Sequence, residues 1–255
     1  IIFLYFFLAA ILPINQIIGR IYPLFGAVLL IMAGAILVSL LSSDIKMPEL
    51  TLANLHPADL PIWPLLMITI SCGAISGFHS TQSPIISRTL KKETEGRKVF
   101  YGAMIGEGVI ALIWCAAGMS FYGGTGELAS VIATVGAGGV VDQIAIGLLG
   151  TVGGLLAVLS VIILPITTGD TSLRSARMIV LDFLGSRIKG NPKTVATLAT
   201  VAVTIPAFYL STIDYQFLWR YVGMTNQMVA TVMLWVATSY LLKEAKLHWI
   251  TGLPA

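Results

Sequence analysis

IYPLFGAVLLIMAGAILVSLLS, residues 21–42, runs for 22 positions without one charged side chain. A helix needs roughly 20 apolar residues to cross a hydrocarbon core of about 30 Å. Lipid offers the backbone no hydrogen-bond partner, so a run of this kind satisfies its own amides and carbonyls as a helix. Comparable runs recur at 61–79, 98–120, 147–168, 194–211 and 225–242, and residues 1–12 read as the tail of another. Pro61 and Pro64 open one run, where a first helical turn tolerates them, and Glu107 is the one charge in 98–120. The sequence therefore predicts an all-α, polytopic helix bundle, one transmembrane domain over 1–255 with six full spans after a truncated first one. The chain opens Ile1-Ile2-Phe3, with neither Met nor a basic leader, and so reads as a fragment whose earlier helices are missing.

Composition agrees. Charged residues make up 11% of the chain and apolar ones 56%, against about 25% charged in soluble domains. A surface this poor in charge is built for lipid. The net charge of +3 comes with no basic stretch interleaved with stacking aromatics, which argues against a nucleic-acid partner. Cys72 and Cys115 fall within apolar runs and read as small packing residues.

The basic residues orient the spans. With 88–98 on the cytoplasmic side, alternation puts 174–193, Arg20 and the segment after the last span on that side too. Thirteen of the 15 basic residues then lie inside, leaving Lys46 and Arg220 outside. Trp63, Trp114, Phe121, Tyr122, Trp219 and Tyr221 fall near outer ends, and Phe100, Tyr101, Tyr240 and Trp249 near inner ends, the placement of interfacial aromatic belts. The Gly-rich connection 121–146 reads either as a short hairpin of helices, re-entrant or surface-lying, or as a flexible outer loop. Gly102/Gly106 and Gly150/Gly154 are GxxxG pairs of the kind that let helices approach closely.

Polar groups at membrane depth are costly and are candidate functional residues by default. Gly77 and Pro84 bracket the polar string Phe78-His79-Ser80-Thr81-Gln82-Ser83, preceded by Ser76, which predicts a broken helix. A break exposes N–H and C=O groups that transporters use to hold solutes and ions; the competing reading is a polar helix end leading into the basic loop. His79 can donate, accept or carry a proton near neutral pH. Glu107 lies nine residues beyond Lys98, roughly 13 Å into the bilayer at 1.5 Å per residue. It reads as a proton-coupling carboxylate or as a structural partner on a neighbouring helix. Thr167 and Thr168 offer oxygens suited to a hard cation such as Na⁺. Asp170 could complete that site, cap the following helix or pair with Arg174 four residues on. Asn226 and Gln227 read as helix-start residues, and His56 and His248 as solvated loop residues.

Taken together, Ile17–Gly26, SGFHSTQSPIISRTLKKETEGRKVFYGAMIGEGVIALIW (Ser76 to Trp114), TTGDTSLRSAR (Thr167 to Arg177) and the Asn226-Gln227 pair resemble the carbon starvation protein A family. The likeness covers nearly the whole chain. It departs at Met224-Thr225, where the family pattern has a small residue. The resemblance implies the amino acid–polyamine–cation superfamily plan, a LeuT-like five-plus-five inverted repeat of which this chain carries the end of helix 4 to helix 10. It implies a secondary active transporter that imports peptides or pyruvate across the bacterial inner membrane during carbon starvation. On that reading Ser76, His79, Ser80, Thr81 and Gln82 bind substrate, Glu107 and Asp170 couple, and Thr167 and Thr168 hold a cation. The coupling ion is H⁺ or Na⁺, with no other cofactor. The partners are the bilayer, the solute and the missing N-terminal helices. The alternatives are a non-transporting sensor and a membrane-embedded hydrolase. The hydrolase is disfavoured because the sequence has no HExxH and its histidines and cysteines lack ligand spacing.

Overall fold

The computed structural model describes residues 3–6, 14–47, 49, 51–70, 75–184 and 191–255, and among these it is helical with no strand. In chain order the helices are α1 (Ile14–Ser42), α2 (Ile62–Thr69), α3 (Gly77–Ser87), α4 (Gly102–Phe121), α5 (Thr125–Leu184), α6 (Pro192–Leu210), α7 (Tyr215–Lys243) and the single turn α8 (Trp249–Gly252). A π-turn, Arg97–Tyr101, leads directly into α4. Among the described residues, three helical stretches are long and apolar enough to cross a membrane, Tyr22–Ser42, Glu93–Phe121 and Thr125–Phe183, and Thr194–Leu210 is a shorter apolar helix. The chain divides into two compact units, one of Ile1–Pro61 with Glu107–Asp170, the other of Ile62–Gly106 with Thr171–Ala255.

The first unit is built around a buried apolar stripe on α1, Met32, Ala33, Ile36 and Leu40, packed with Ile113 and Ala117 of α4 and with Val140, Ile144, Ala145 and Ala157 of α5. The spacing of the α1 residues is that of one helix face, while Leu24, Leu30, Ile31, Val38 and Leu41 remain exposed as lipid-facing side chains would be. The 60 residues of α5 are three rods, 125–135, 137–149 and 151–184, separated at Gly136 (φ 73°, ψ 171°) and Gly150 (φ 68°, ψ −160°). Those conformations are open essentially to glycine alone. Of the two readings of 121–146, the helical one holds: two rods flank Gly136. The break at Gly150 interrupts the helical ladder, and Ser39 of α1 donates to the carbonyl of Leu148 beside it at 2.8 Å.

Several boundaries differ from the sequence reading. Arg20 lies within α1, which starts at Ile14, and not in a connection. The 61–79 span is two short helices, α2 and α3. The string FHSTQSP is itself helical, so the break falls before Gly77; of that break, 71–74, including Gly73, lie outside the described residues. The hydroxyls explain why the string tolerates helix: Ser80 donates to the Gly77 carbonyl at 2.6 Å, Thr81 to Phe78 at 2.8 Å and Ser83 to His79 at 2.6 Å. Bonding back to their own turn satisfies them in place. The predicted loop 174–193 is helical to Leu184, and Arg174 is buried. Counting residues to the thickness of a bilayer ends a span too early when no breaker follows, and Thr171–Leu184 contains neither Gly nor Pro. Among the described residues, no other helix comes within 4 Å of a methyl placed at Gly102 or Gly106, and Gly150 is a break.

Gly150→Ala is expected to lower stability by about 1–3 kcal/mol from backbone strain alone, because no side chain or backbone lies within 4 Å of a methyl there. Gly138→Ala, equally open but helical, should be neutral or better. Thermal melts of the two variants in one detergent decide between them.

Candidate functional site

The second unit contains the helix break. Helix α2 ends at Thr69 and α3 starts at Gly77, capped by Ser76, whose hydroxyl accepts from the Phe78 amide at 3.2 Å. Helix α7 lies against this junction. It begins at Tyr215, capped by Asp214, whose carboxylate accepts from the Phe217 amide at 3.0 Å. Asn226 and Gln227 are therefore eleven or more residues inside α7 and are not helix-start residues. The Asn226 carboxamide oxygen accepts from the Phe78 amide at 2.9 Å, and its NH₂ donates to the Ser76 hydroxyl at 3.0 Å. The neighbouring Gln227 donates from its side-chain amide to the carbonyl of Met67, on the other side of the break. One adjacent pair thus serves both ends: an acceptor meets a free N–H at the start of α3, and a donor meets a carbonyl near the end of α2.

Gly77 makes the approach possible. A methyl group there would overlap the Asn226 carbonyl and stand 2.8 Å from the Val229 Cβ. Behind the junction lies a cavity of about 300 Å³, lined by Ile75, Ser76, His79, Ser80, Ser83, Met104, Ala230, Met233 and Leu234. Hydroxyls and an imidazole from α3 form one wall, and Met104, Met233, Leu234 and Ala230 an apolar one. Such a space suits a small solute with a polar end and an apolar body. Of the five residues expected to bind substrate, Ser76, His79 and Ser80 line it. Thr81 and Gln82 do not: the Thr81 carbonyl accepts from Ser175 at 2.9 Å, and Gln82 donates to the Thr81 hydroxyl at 3.3 Å. Ser83 and the Asn226-Gln227 pair carry more of the site than spacing alone indicated. The signal for the pair was Asp214, a capping residue that starts α7 early enough to place Asn226 and Gln227 well inside the helix.

The other candidates belong to the first unit. Asp170 is fully buried within α5, so it caps no helix, and its carboxylate accepts from the Tyr22 hydroxyl of α1 at 2.9 Å. Tyr22 also approaches the Thr167 carbonyl at 3.5 Å. Thr167 and Thr168 are helical; the Thr167 hydroxyl donates to Leu164 at 2.9 Å, and Thr168 is exposed. Phe6 packs directly over Gly169, where a methyl would overlap its ring. Glu107 is half-buried on α4.

Two outcomes are expected. Tyr22→Phe, which removes a donor from a buried carboxylate, should lower stability by about 1–3 kcal/mol. Gly77→Ala should cost a similar about 1–3 kcal/mol through overpacking against α7, whereas Gly26→Ala, with open space around it, should not. Melting curves of the purified variants read both.

Comparison with known proteins places this architecture. The sequence profile described as "Carbon starvation protein CstA" matches residues 1–125 and 116–255. An "Uncharacterized membrane protein" of Haemophilus influenzae is 49% identical over 141 residues, covering 48% of this chain and 38% of that one. The "Peptide transporter CstA" of Campylobacter jejuni is 27% identical over 98% of this chain and 46% of its own length. The "Pyruvate/proton symporter BtsT" of Escherichia coli is 35% identical over 117 residues, 43% of this chain and 16% of that one. The chain thus spans less than half the length of each of these three relatives. No solved structure matches. With the profile matching from residue 1 to residue 255, this multi-pass membrane chain belongs to the carbon starvation protein CstA family.

Proposed function

We propose that the chain forms part of a secondary active transporter that imports small carboxylate-bearing solutes, peptides or pyruvate, across the bacterial inner membrane during carbon starvation. The observation that carries this reading is the cavity behind the α2–α3 break, where Ser76, His79, Ser80 and Ser83 face an apolar wall from α4 and α7. Its dimensions and mixed lining suit pyruvate or a dipeptide side chain and terminus, and half-helix ends of this kind bind solutes in transporters. His79 contributes a group that can donate to a carboxylate. Membership of a family whose relatives carry the names peptide transporter and pyruvate/proton symporter supports the same solute classes.

Coupling is assigned to H⁺, with Glu107 and Asp170 as the carboxylates that carry it and Thr167–Thr168 as the site of a cation should Na⁺ drive the cycle. The buried carboxylate of Asp170, held by Tyr22, supports a coupling role, because an ionisable group at membrane depth is rarely retained without one. The five-plus-five inverted repeat is the architecture in which a broken helix of this kind operates, and it is part of the proposal.

Uptake of labelled pyruvate and of a labelled dipeptide by proteoliposomes, under an imposed proton gradient and then a sodium gradient, tests the reading. Proton-driven uptake is expected. His79→Ala should raise KM about tenfold or more, the loss of one charge-assisted hydrogen bond to the solute. Glu107→Gln should remove the response to the proton gradient while solute binding persists. Uptake of neither solute under either gradient would sink the transporter reading, and unchanged KM in His79→Ala would sink the site.

A further inference from the structure

Helix α7 ends in a turn that sends the chain back along it. Ala245 adopts a left-handed conformation (φ 51°), and the Lys246 amide donates to the Leu241 carbonyl at 2.9 Å, a closure that stops a helix and reverses the chain. The single turn α8 then lies on α7. The Thr238 and Thr251 hydroxyls share a hydrogen bond of 2.8 Å, and a methyl at Gly252 would stand 3.2 Å from the Thr238 Cγ2. Thr238 precedes Lys243, the last residue of α7, by five positions, about 7.5 Å along the axis at 1.5 Å per residue. Residues 244–253 are therefore a foot folded back beside α7, whose exposed Met228, Val232, Trp235 and Val236 are the side chains of a helix set in lipid.

The foot is apolar on its outside. Leu247, Trp249, Ile250 and Leu253 are all exposed, four large apolar side chains within seven residues. A patch of this kind marks a surface that a membrane or a partner covers, and Trp is the side chain that settles at the border of hydrocarbon and water. Between the end of α7 and the foot lies a cavity of about 520 Å³. Leu241, Leu247, Trp249 and Ile250 give it apolar walls, while Lys246 and His248 bring an ammonium and an imidazole into the same lining. Glu244 is the one acidic side chain in 240–255, against Lys243 and Lys246. It stands 3.8 Å from the Lys246 Nζ with both side chains exposed, so it offsets that charge only weakly. We propose that this cavity is a binding site for an anionic phospholipid, with the phosphate between Lys246 and His248 and the acyl chain along Leu241, Trp249 and Ile250. A lysine ammonium binds phosphate as a point charge, and the imidazole adds an N–H donor. The net positive rim selects a headgroup of net negative charge over a zwitterionic one. The apolar walls select a lipid over a free phosphate. The site lies apart from the α3 cavity, shares no lining residue with it and does not depend on the transport reading.

Trp249 fluorescence in vesicles that carry brominated lipid reads the site directly. The share of the quenching that Trp249→Phe removes belongs to Trp249. Brominated phosphatidylglycerol is expected to quench that share with an apparent affinity about fivefold above that of brominated phosphatidylcholine, the preference one basic residue confers for an anionic lipid surface. Lys246→Gln combined with His248→Gln should bring the two lipids level, and Glu244→Gln should widen the gap. All three positions are exposed, so the substitutions leave the packing of α7 and α8 intact. Equal quenching by the two lipids in the unaltered protein overturns the headgroup site, as does an undiminished preference in the double variant. Quenching of Trp249 by neither lipid overturns the foot as a membrane contact and assigns the patch to a protein partner.

Discussion

A helix that breaks inside an apolar medium frees amides and carbonyls that water cannot reach, and each must find a partner in the protein. That constraint shapes both units of this chain. At the α2–α3 break the partners are Gln227 for the Met67 carbonyl and Asn226 with Ser76 for the Phe78 amide. At Gly150 the partner is Ser39, which donates to Leu148. Ser39, Ser76, Asn226 and Gln227 are the polar side chains that stand where backbone bonds are missing at these two breaks. Gly77 belongs to the same logic from the other side: its missing side chain lets one helix reach another's backbone ends.

Polar groups away from a break follow a second rule and bond to their own turn. Ser80, Thr81 and Ser83 return their hydroxyl protons to carbonyls three or four residues back, which leaves their oxygens able to accept while keeping α3 intact. A cavity wall made this way offers a solute acceptors and an imidazole on a rigid helix, a firmer platform than a loop would provide. Asp170, whose carboxylate carries no proton to return, accepts instead. It is served from another helix by Tyr22.

The membrane class was legible because charge is so scarce in the long runs, and the positions of α1, α4 and α6 follow from those runs directly. The family was legible from FHSTQSP and TTGDTSLRSAR. What could not be read was where helices stop. Composition marks the apolar portion of a helix, but α5 and α7 extend past theirs, one through Arg174 and the other from Asp214 through Arg220. For the same reason Asn226 and Gln227 looked like a helix start when they are interior. The string at 76–84 was expected to be broken because its residues are poor helix formers; the hydroxyl bonds that rescue it depend on side-chain rotamers, which spacing does not report. Of the five proposed substrate ligands, three line the cavity, and the two that turn away, Thr81 and Gln82, do so because successive helical residues point about 100° apart.

The π-turn at Arg97–Tyr101 ties the basic loop to the cavity in a way that linear spacing hides. A π-turn holds one residue more than an α-turn. Every residue beyond it is rotated by about 100° relative to the helix without it. Met104, three residues past Tyr101, owes its place on the cavity wall to that rotation. The length of the chain between Lys98 and Met104 is therefore as much a part of the site as any side chain in it.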